Sequence, residues 1–182
     1  MSVVSQSRSG GATIDNLGVQ GNGTSAYFIT NYAPFDDGVN YTQNNASMIT
    51  DVVTAATSSF KNIFGASSVN PFELENASST THYINSTSSL STAIDLSGTG
   101  LLVLDRQSSS AVKGYQNSTT AQSATQTANS LGGTGKVMWG LRLGGQYVNA
   151  KISFMGAGAS VDALISELKA ARDAFITTLN GI

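Results

Sequence analysis

"GTGLLVLDRQSSSAVKGYQNSTT", residues 98–120, holds an apolar run, a charged step, three serines and a second patterned segment. Leu101 to Leu104 is fully apolar and short enough for a buried strand. Ala111 to Tyr115 is its hairpin partner, and the serines between them have the small hydroxyl side chains that turns favour. This stretch therefore predicts an antiparallel strand pair joined by a polar turn. Similar segments extend to either side. Before it lie "YFI" after the glycine-rich Gly21–Gly23, the β-branched "ASMITDVVTAAT", "SSFKNIFGASS", "PFELEN" and "THYINSTSSLSTAIDL", with a turn at Asn76–Ser79. After it come "GKVMWGLRLGG" and "YVNAKISFMGAG". Strands every 8–12 residues with no helices between them predict an antiparallel sandwich.

The C-terminal "SVDALISELKAARDAFITTLNGI" breaks that pattern. Val161, Leu164, Ile165, Leu168, Phe175 and Leu179 recur at helical spacing, which predicts a helix over 160–180 laid against the edge or end of the sandwich. Ser160 is suited to the N-cap, Asp162 to the first turn and Gly181 to the C-terminal stop. Residues 1–15 are unpatterned and rich in Ser and Gly. They read as a disordered terminus or as an arm that orders on a partner, leaving 16–182 as the folded domain.

Composition narrows the function. Of 182 residues, 26 are Ser, 19 Thr and 14 Asn, while only 11% are charged. These side chains compete for backbone hydrogen bonds and so suit strand faces and turns rather than helix interiors. Net charge is −2 and the nine Lys and Arg are dispersed, which disfavours nucleic acid as a partner. The absence of cysteine excludes disulfides and thiolate chemistry. No apolar run has the length of a membrane span, and the N-terminus lacks a signal-peptide pattern. The expectation is a protein made in the cytoplasm, with no membrane partner and no cofactor.

Several motifs bear on chemistry. "GGTGKV" at 132–137 lacks both the first glycine and the Ser/Thr of a phosphate loop, and reads as a hairpin turn. His82 is the only histidine and has no cysteine or nucleophile turn to partner it. Glu73 and Glu75 share one strand face without a third acid. Asp36-Asp37-Gly38 could seat calcium or simply form a turn. Six N-x-S/T triplets arise by chance in a chain so rich in these residues, and without a signal peptide they are not glycosylation sites. Trp139 reads as core. Tyr32, Tyr41 and Tyr147, in or beside predicted loops, are the candidate ligand-binding residues, since exposed rings can stack on sugar.

Three longer stretches carry a resemblance. "GNGTSAYFITNYAPFDDGVNYTQNNASM" resembles the opening of bacteriophage virion proteins with a concanavalin A-like (laminin-G-like) sandwich, with their G-[DN]-G-T turn and G-V-x-Y-T-Q-N-N-A loop. "YINSTSSLSTAIDLSGTGLLVLDRQSSSAVKGYQN" is similar to their hairpin with an R-x-S-S turn, although Ser118 replaces the glycine of their Y-x-N-G. "AKISFMGAGASVDALISELKAARDAFITTLNGI" resembles their closing strand and terminal helix. Together these span about residues 17–182.

The resemblance implies an all-β, antiparallel jelly-roll sandwich with one C-terminal helix. It implies a non-enzymatic virion protein, found in tail fibres, tail tips or capsid decorations. Two jobs compete within that reading: a decoration or accessory subunit bound to capsid, tail or its own copies, or a lectin-like module that contacts host-surface glycan. Glycoside hydrolases on the same fold carry an E-x-D-x-x-E strand, which "ELEN" does not reproduce. A polysaccharide-degrading enzyme is the alternative.

Overall fold

The computed structural model describes residues 7–57, 62–66, 72–76, 82–90, 94–131 and 133–180. The first six residues, the turn expected at 77–79, Gly132 and Gly181 lie outside that set. In chain order the strands are β1 (Ser7–Ser9), β2 (Thr13–Asp15), β3 (Gly18–Gln20), β4 (Tyr27–Ile29), β5 (Ala46–Thr54), β6 (Asn62–Ala66), β7 (Phe72–Glu75) and β8 (Tyr83–Ile84). They continue as β9 (Gly100–Arg106), β10 (Ala111–Gln116), β11 (Gln122–Thr125), β12 (Trp139–Gly140), β13 (Arg142–Leu143), β14 (Gln146–Tyr147) and β15 (Lys151–Gly158). A single helical turn, α1 (Pro34–Asp37), follows β4, and the long helix α2 (Ile165–Asn180) closes the chain after a short 3-10 turn at Asp162–Leu164.

Two large antiparallel sheets result, one ordered β1-β4-β12-β6-β7-β8 and the other β11-β10-β9-β5-β15-β3-β2, with β13-β14 a separate two-stranded ribbon. Between them Phe28, Ile63, Phe64, Phe72, Leu74 and Ile84 of the first sheet meet Met48, Val52, Leu102, Leu104, Val112 and Ile152 of the second. The chain is an all-β sandwich with a C-terminal helix.

The β9–β10 hairpin forms as expected, pairing Leu104 with Gly114 and Leu102 with Gln116. All seven residues of β9 are buried. Leu102 and Leu104 point into the sandwich, while Leu101 and Val103 point to the opposite face, where Tyr115, Ile165 and Leu168 cover them. A strand covered on both faces needs apolar residues at every position rather than at alternate ones. The serines close the turn with their own atoms. Ser108 Oγ accepts the backbone N–H of Ser110 at 3.3 Å and of Ala111 at 3.0 Å. The carbonyls of Ser109 and Ser110 accept from Ala128 and Gln126.

Helix α2 thus lies on the outer face of the seven-stranded sheet, not at its edge. Of the expected stripe, Ile165 and Leu168 face the sheet, whereas Leu164 and Phe175 are 57% and 48% exposed. Arg172 joins the inward side in their place. Arg172 Nε donates to Asp51 Oδ1 at 2.6 Å, and Asp51, which is fully buried, also accepts from Ser153 Oγ at 2.6 Å. These contacts raise the guanidinium's pKa further, although burial opposes them. Val161, not Ser160, flanks the first turn; the Ser160 hydroxyl donates to Asp105 Oδ2 at 2.8 Å, and Asp105 Oδ1 takes the Val161 N–H at 2.7 Å. The Ser160 oxygen still accepts the Asp162 N–H of the first turn at 3.4 Å, while the strand carboxylate anchors the residue before it.

Residues 7–15, expected as an arm, pair within the chain: β1 with β4 in one sheet and β2 with β3 in the other. Among the described residues of "THYINSTSSLSTAIDL", only Tyr83–Ile84 is strand. The described remainder is a loop held by buried polar groups. Arg106, fully buried on the inner face of β9, donates from Nε to Ile84 O at 2.9 Å, from Nη1 to Gln126 O at 2.8 Å and Ser108 O at 3.2 Å, and from Nη2 to Gln126 Oε1 at 2.8 Å. Burial pulls its pKa down to about 10, while Tyr41 acts in the opposite direction.

Candidate functional site

"GKVMWGLRLGG" reads as one strand, but the chain breaks at Leu141, whose φ is +61°. A leucine in the left-handed region is uncommon and costs on the order of 1–2 kcal/mol, so the surroundings must hold it there. Leu141 is fully buried; its N–H donates to Ile63 O at 3.0 Å and its carbonyl accepts from Val148 at 3.0 Å. The break re-aims the next residue. In a continuous strand Trp139 and Arg142 would face opposite sides. Here both reach the outer face of the six-stranded sheet. The Arg142 guanidinium carbon lies 4.5 Å from the ring centres of Tyr27 and Trp139, and 5.3 Å from that of Tyr147. Tyr27 itself sits 5.3 Å from Trp139 and 6.0 Å from Tyr147.

Local sequence fixes the rest of this cluster. Gly144 and Gly145 both take positive φ, which suits the two-residue turn joining β13 to β14 and sets Arg142 opposite Tyr147. Gly140 is required because a Cβ there would stand 2.1 Å from the Phe28 ring on the inner face. Beside the cluster opens a cleft of about 270 Å³, lined by Ala66, Lys136, Val137, Trp139, Arg142 and Leu143 among others. Its far wall, the turn at Thr134–Gly135, is tied down by the Gly135 N–H, which donates to Asp36 Oδ2 at 2.6 Å. Trp139 pairs with Gly65 of β6, and Gly65 pairs onward with Glu73 of β7, so the row from the indole to that carboxyl group passes through a glycine.

Of the candidate residues, only Tyr147 joins this arrangement. Tyr41 is fully buried, its hydroxyl donating to Asn85 Oδ1 at 3.0 Å and its ring edge-on to Phe72, so it has no face to offer a ligand. Burial pushes its phenol well above the usual range. Tyr32 is half-buried against the core, and desolvation, then the charge of Asp37, raises its pKa. Trp139, expected in the core, is half-exposed on the outer face. Arg142 and Tyr27 were not singled out by the sequence. The signal for Arg142 was the Gly-Gly pair, which makes a hairpin of "LRLGGQY" and so pairs Arg142 with Tyr147.

The other motifs have structural roles. Asp37 Oδ2 accepts the Ala33 N–H at 2.8 Å, so both carboxylates of "FDDG" anchor backbone, and α1 replaces the expected loop. His82 is buried, with Nδ1 accepting the Glu75 N–H at 3.3 Å. "GGTGKV" turns at 134–135 but joins no strand pair. Glu73 and Glu75 share the outer face of β7; burial, then the neighbouring charge of Glu75, lifts Glu73 to about 7. No protein family and no curated protein matches the chain.

Proposed function

We propose that this chain is a non-enzymatic structural protein of a bacteriophage particle, a concanavalin A-like jelly-roll sandwich displayed on the surface that holds a host glycan in the aromatic cleft. The binding half rests on one observation: three aromatic rings gathered around Arg142 beside an open cleft. Half-exposed rings offer apolar faces to the C–H faces of sugars, and the break at Leu141 with the Gly144–Gly145 turn brings the rings and Arg142 to one face. The virion half is supported by the resemblance of the three sequence stretches, and the jelly roll by two antiparallel sheets whose neighbours are mostly non-consecutive in sequence.

An accessory or decoration role, with the chain bound to capsid, tail or its own copies, has separate support. Among the described residues, Phe154–Gly158 of β15 pairs with β5 on one side and with no strand on the other. An unpaired edge of this kind is a template for strand addition by another chain. A polysaccharide-degrading activity is the alternative. Glu73, held near 7 beside Glu75, is the acid it would use.

The purified chain on a glycan array, with a reducing-end assay on bound polysaccharide, separates these readings. Binding without new reducing ends is the expected result. Turnover abolished by Glu73→Gln would establish the enzyme instead. An electron-microscopy map that finds the chain on a phage particle, or fails to, decides its location.

A further inference from the structure

The cleft has a charge character that an aromatic sugar platform does not require. Arg142 and Lys136 both line it, and no acid does. Among the described residues, neither cation has a hydrogen-bond or ion-pair partner, whereas Lys113, Lys151, Lys169 and Arg172 are all paired with carboxylates. Asp36, outside the lining, accepts the Gly135 N–H. Glu73, two strands from Trp139 and so roughly 10 Å away, is partly protonated at neutral pH.

Arg142 is also held in a particular way. Its contacts within the cluster are with aromatic rings, and the N–H groups along its edge have no hydrogen-bond acceptor among the described residues. Those edge donors form a planar fork that matches a carboxylate in two parallel hydrogen bonds. A single sugar ring is about the size that a cleft of about 270 Å³ admits, since drug-sized ligands occupy roughly 300–1,000 Å³.

We infer that the cleft is selective for a sugar unit bearing a carboxylate, held edge-on by Arg142 with Lys136 on the same rim while the ring lies against Trp139. This rests on the glycan reading above and names the class of sugar within it.

Trp139 is the chain's single tryptophan, so its fluorescence reports on the cleft directly. Uronate-, sialate-type, sulfated and neutral glycans on one array supply the probe. The best carboxylate-bearing hit is then titrated against its carboxyl-reduced counterpart. The expected result is hits concentrated among carboxylate sugars, at least tenfold weaker binding after reduction, and a comparable loss for Arg142→Gln and Arg142→Lys with an unchanged melting temperature. Trp139→Ala, followed by calorimetry, should weaken acidic and neutral sugars alike. Equal binding of the acid and its reduced form, or hits confined to neutral or sulfated glycans, overturns the carboxylate inference while leaving a glycan-binding cleft. No glycan hit of any class overturns both.

Discussion

Replacing Arg172 by methionine tests how α2 is held to the sheet. The substitution keeps most of the stem's volume and removes the charge. Asp51 is fully buried, and its two described side-chain partners are Arg172 and Ser153, each at 2.6 Å. Removing one member of a buried pair leaves a charge that is neither hydrated nor neutralised, at a cost of about 3–5 kcal/mol. Two features place this site at the low end. The Ser153 hydroxyl still donates in the variant, and the Arg172 side chain is 15% exposed, so water can reach the gap. A loss of about 3 kcal/mol is therefore expected, read from urea denaturation at constant m-value.

The double variant Asp51→Asn with Arg172→Met separates a stranded charge from lost packing. The amide carries no charge and can keep the Ser153 contact, so about 1–2 kcal/mol should return. A loss below 1 kcal/mol in the single variant, or no recovery in the double one, would refute the argument. Either result would mean that the helix rests on its apolar contacts and that the ion pair is incidental.

Two further outcomes follow from burial and charge. Leu102→Ala, on the inner face of β9, should cost about 2–5 kcal/mol in thermal or urea melts, whereas Phe175→Ala on the exposed side of α2 should stay within about 0.5 kcal/mol. Glu73 is raised from 4.5 to about 7 by burial and then by Glu75, so the folded chain holds its proton more tightly than the unfolded one. The associated penalty is absent below 4.5 and complete above about 7, so stability should fall across that window. Taken at face value the shift is worth about 3 kcal/mol; because the group is partly exposed, roughly 1–2 kcal/mol is expected. Urea midpoints at pH 5 and pH 8 should thus differ more for the native chain than for Glu73→Gln, and equal differences would show that Glu73 does not titrate as described.

The parts of the fold that were legible in the sequence are those set by near neighbours. Leu101 to Leu104 announce a strand because every position is apolar, and the serine turn with Ala111–Tyr115 fixes its partner locally. The helix was equally clear, but its orientation was not. The buried stripe passes through Arg172, a residue that periodicity counts as polar, and its acceptor Asp51 lies 121 residues away in sequence. Phe175 fitted the apolar pattern and faces solvent. The cleft was the least legible part. It depends on Leu141 adopting positive φ, which no leucine signals and which its contacts with Ile63 and Val148 impose. Without that break Trp139 reads as one more alternating strand residue, and Arg142 falls on the wrong face. Tyr41 shows the converse error, since a tyrosine beside a loop was ranked as accessible when Asn85 gives its hydroxyl a partner in the interior.

Arg106 has a consequence for how freely the neighbouring chain can be written. An irregular segment normally stays at the surface because its carbonyls need water. Here one guanidinium replaces that hydration, collecting the carbonyls of Ile84, Ser108 and Gln126 from three separate segments. The chain after Ile84 can therefore stay buried through Asn85 and Ser86 without strand pairing, before it surfaces at residues 87–89. Its side chains are released from the demands of a ladder, and the constraint passes to a single position. A methionine at 106 would fill the space yet leave the carbonyls of Ile84 and Gln126 buried without this donor.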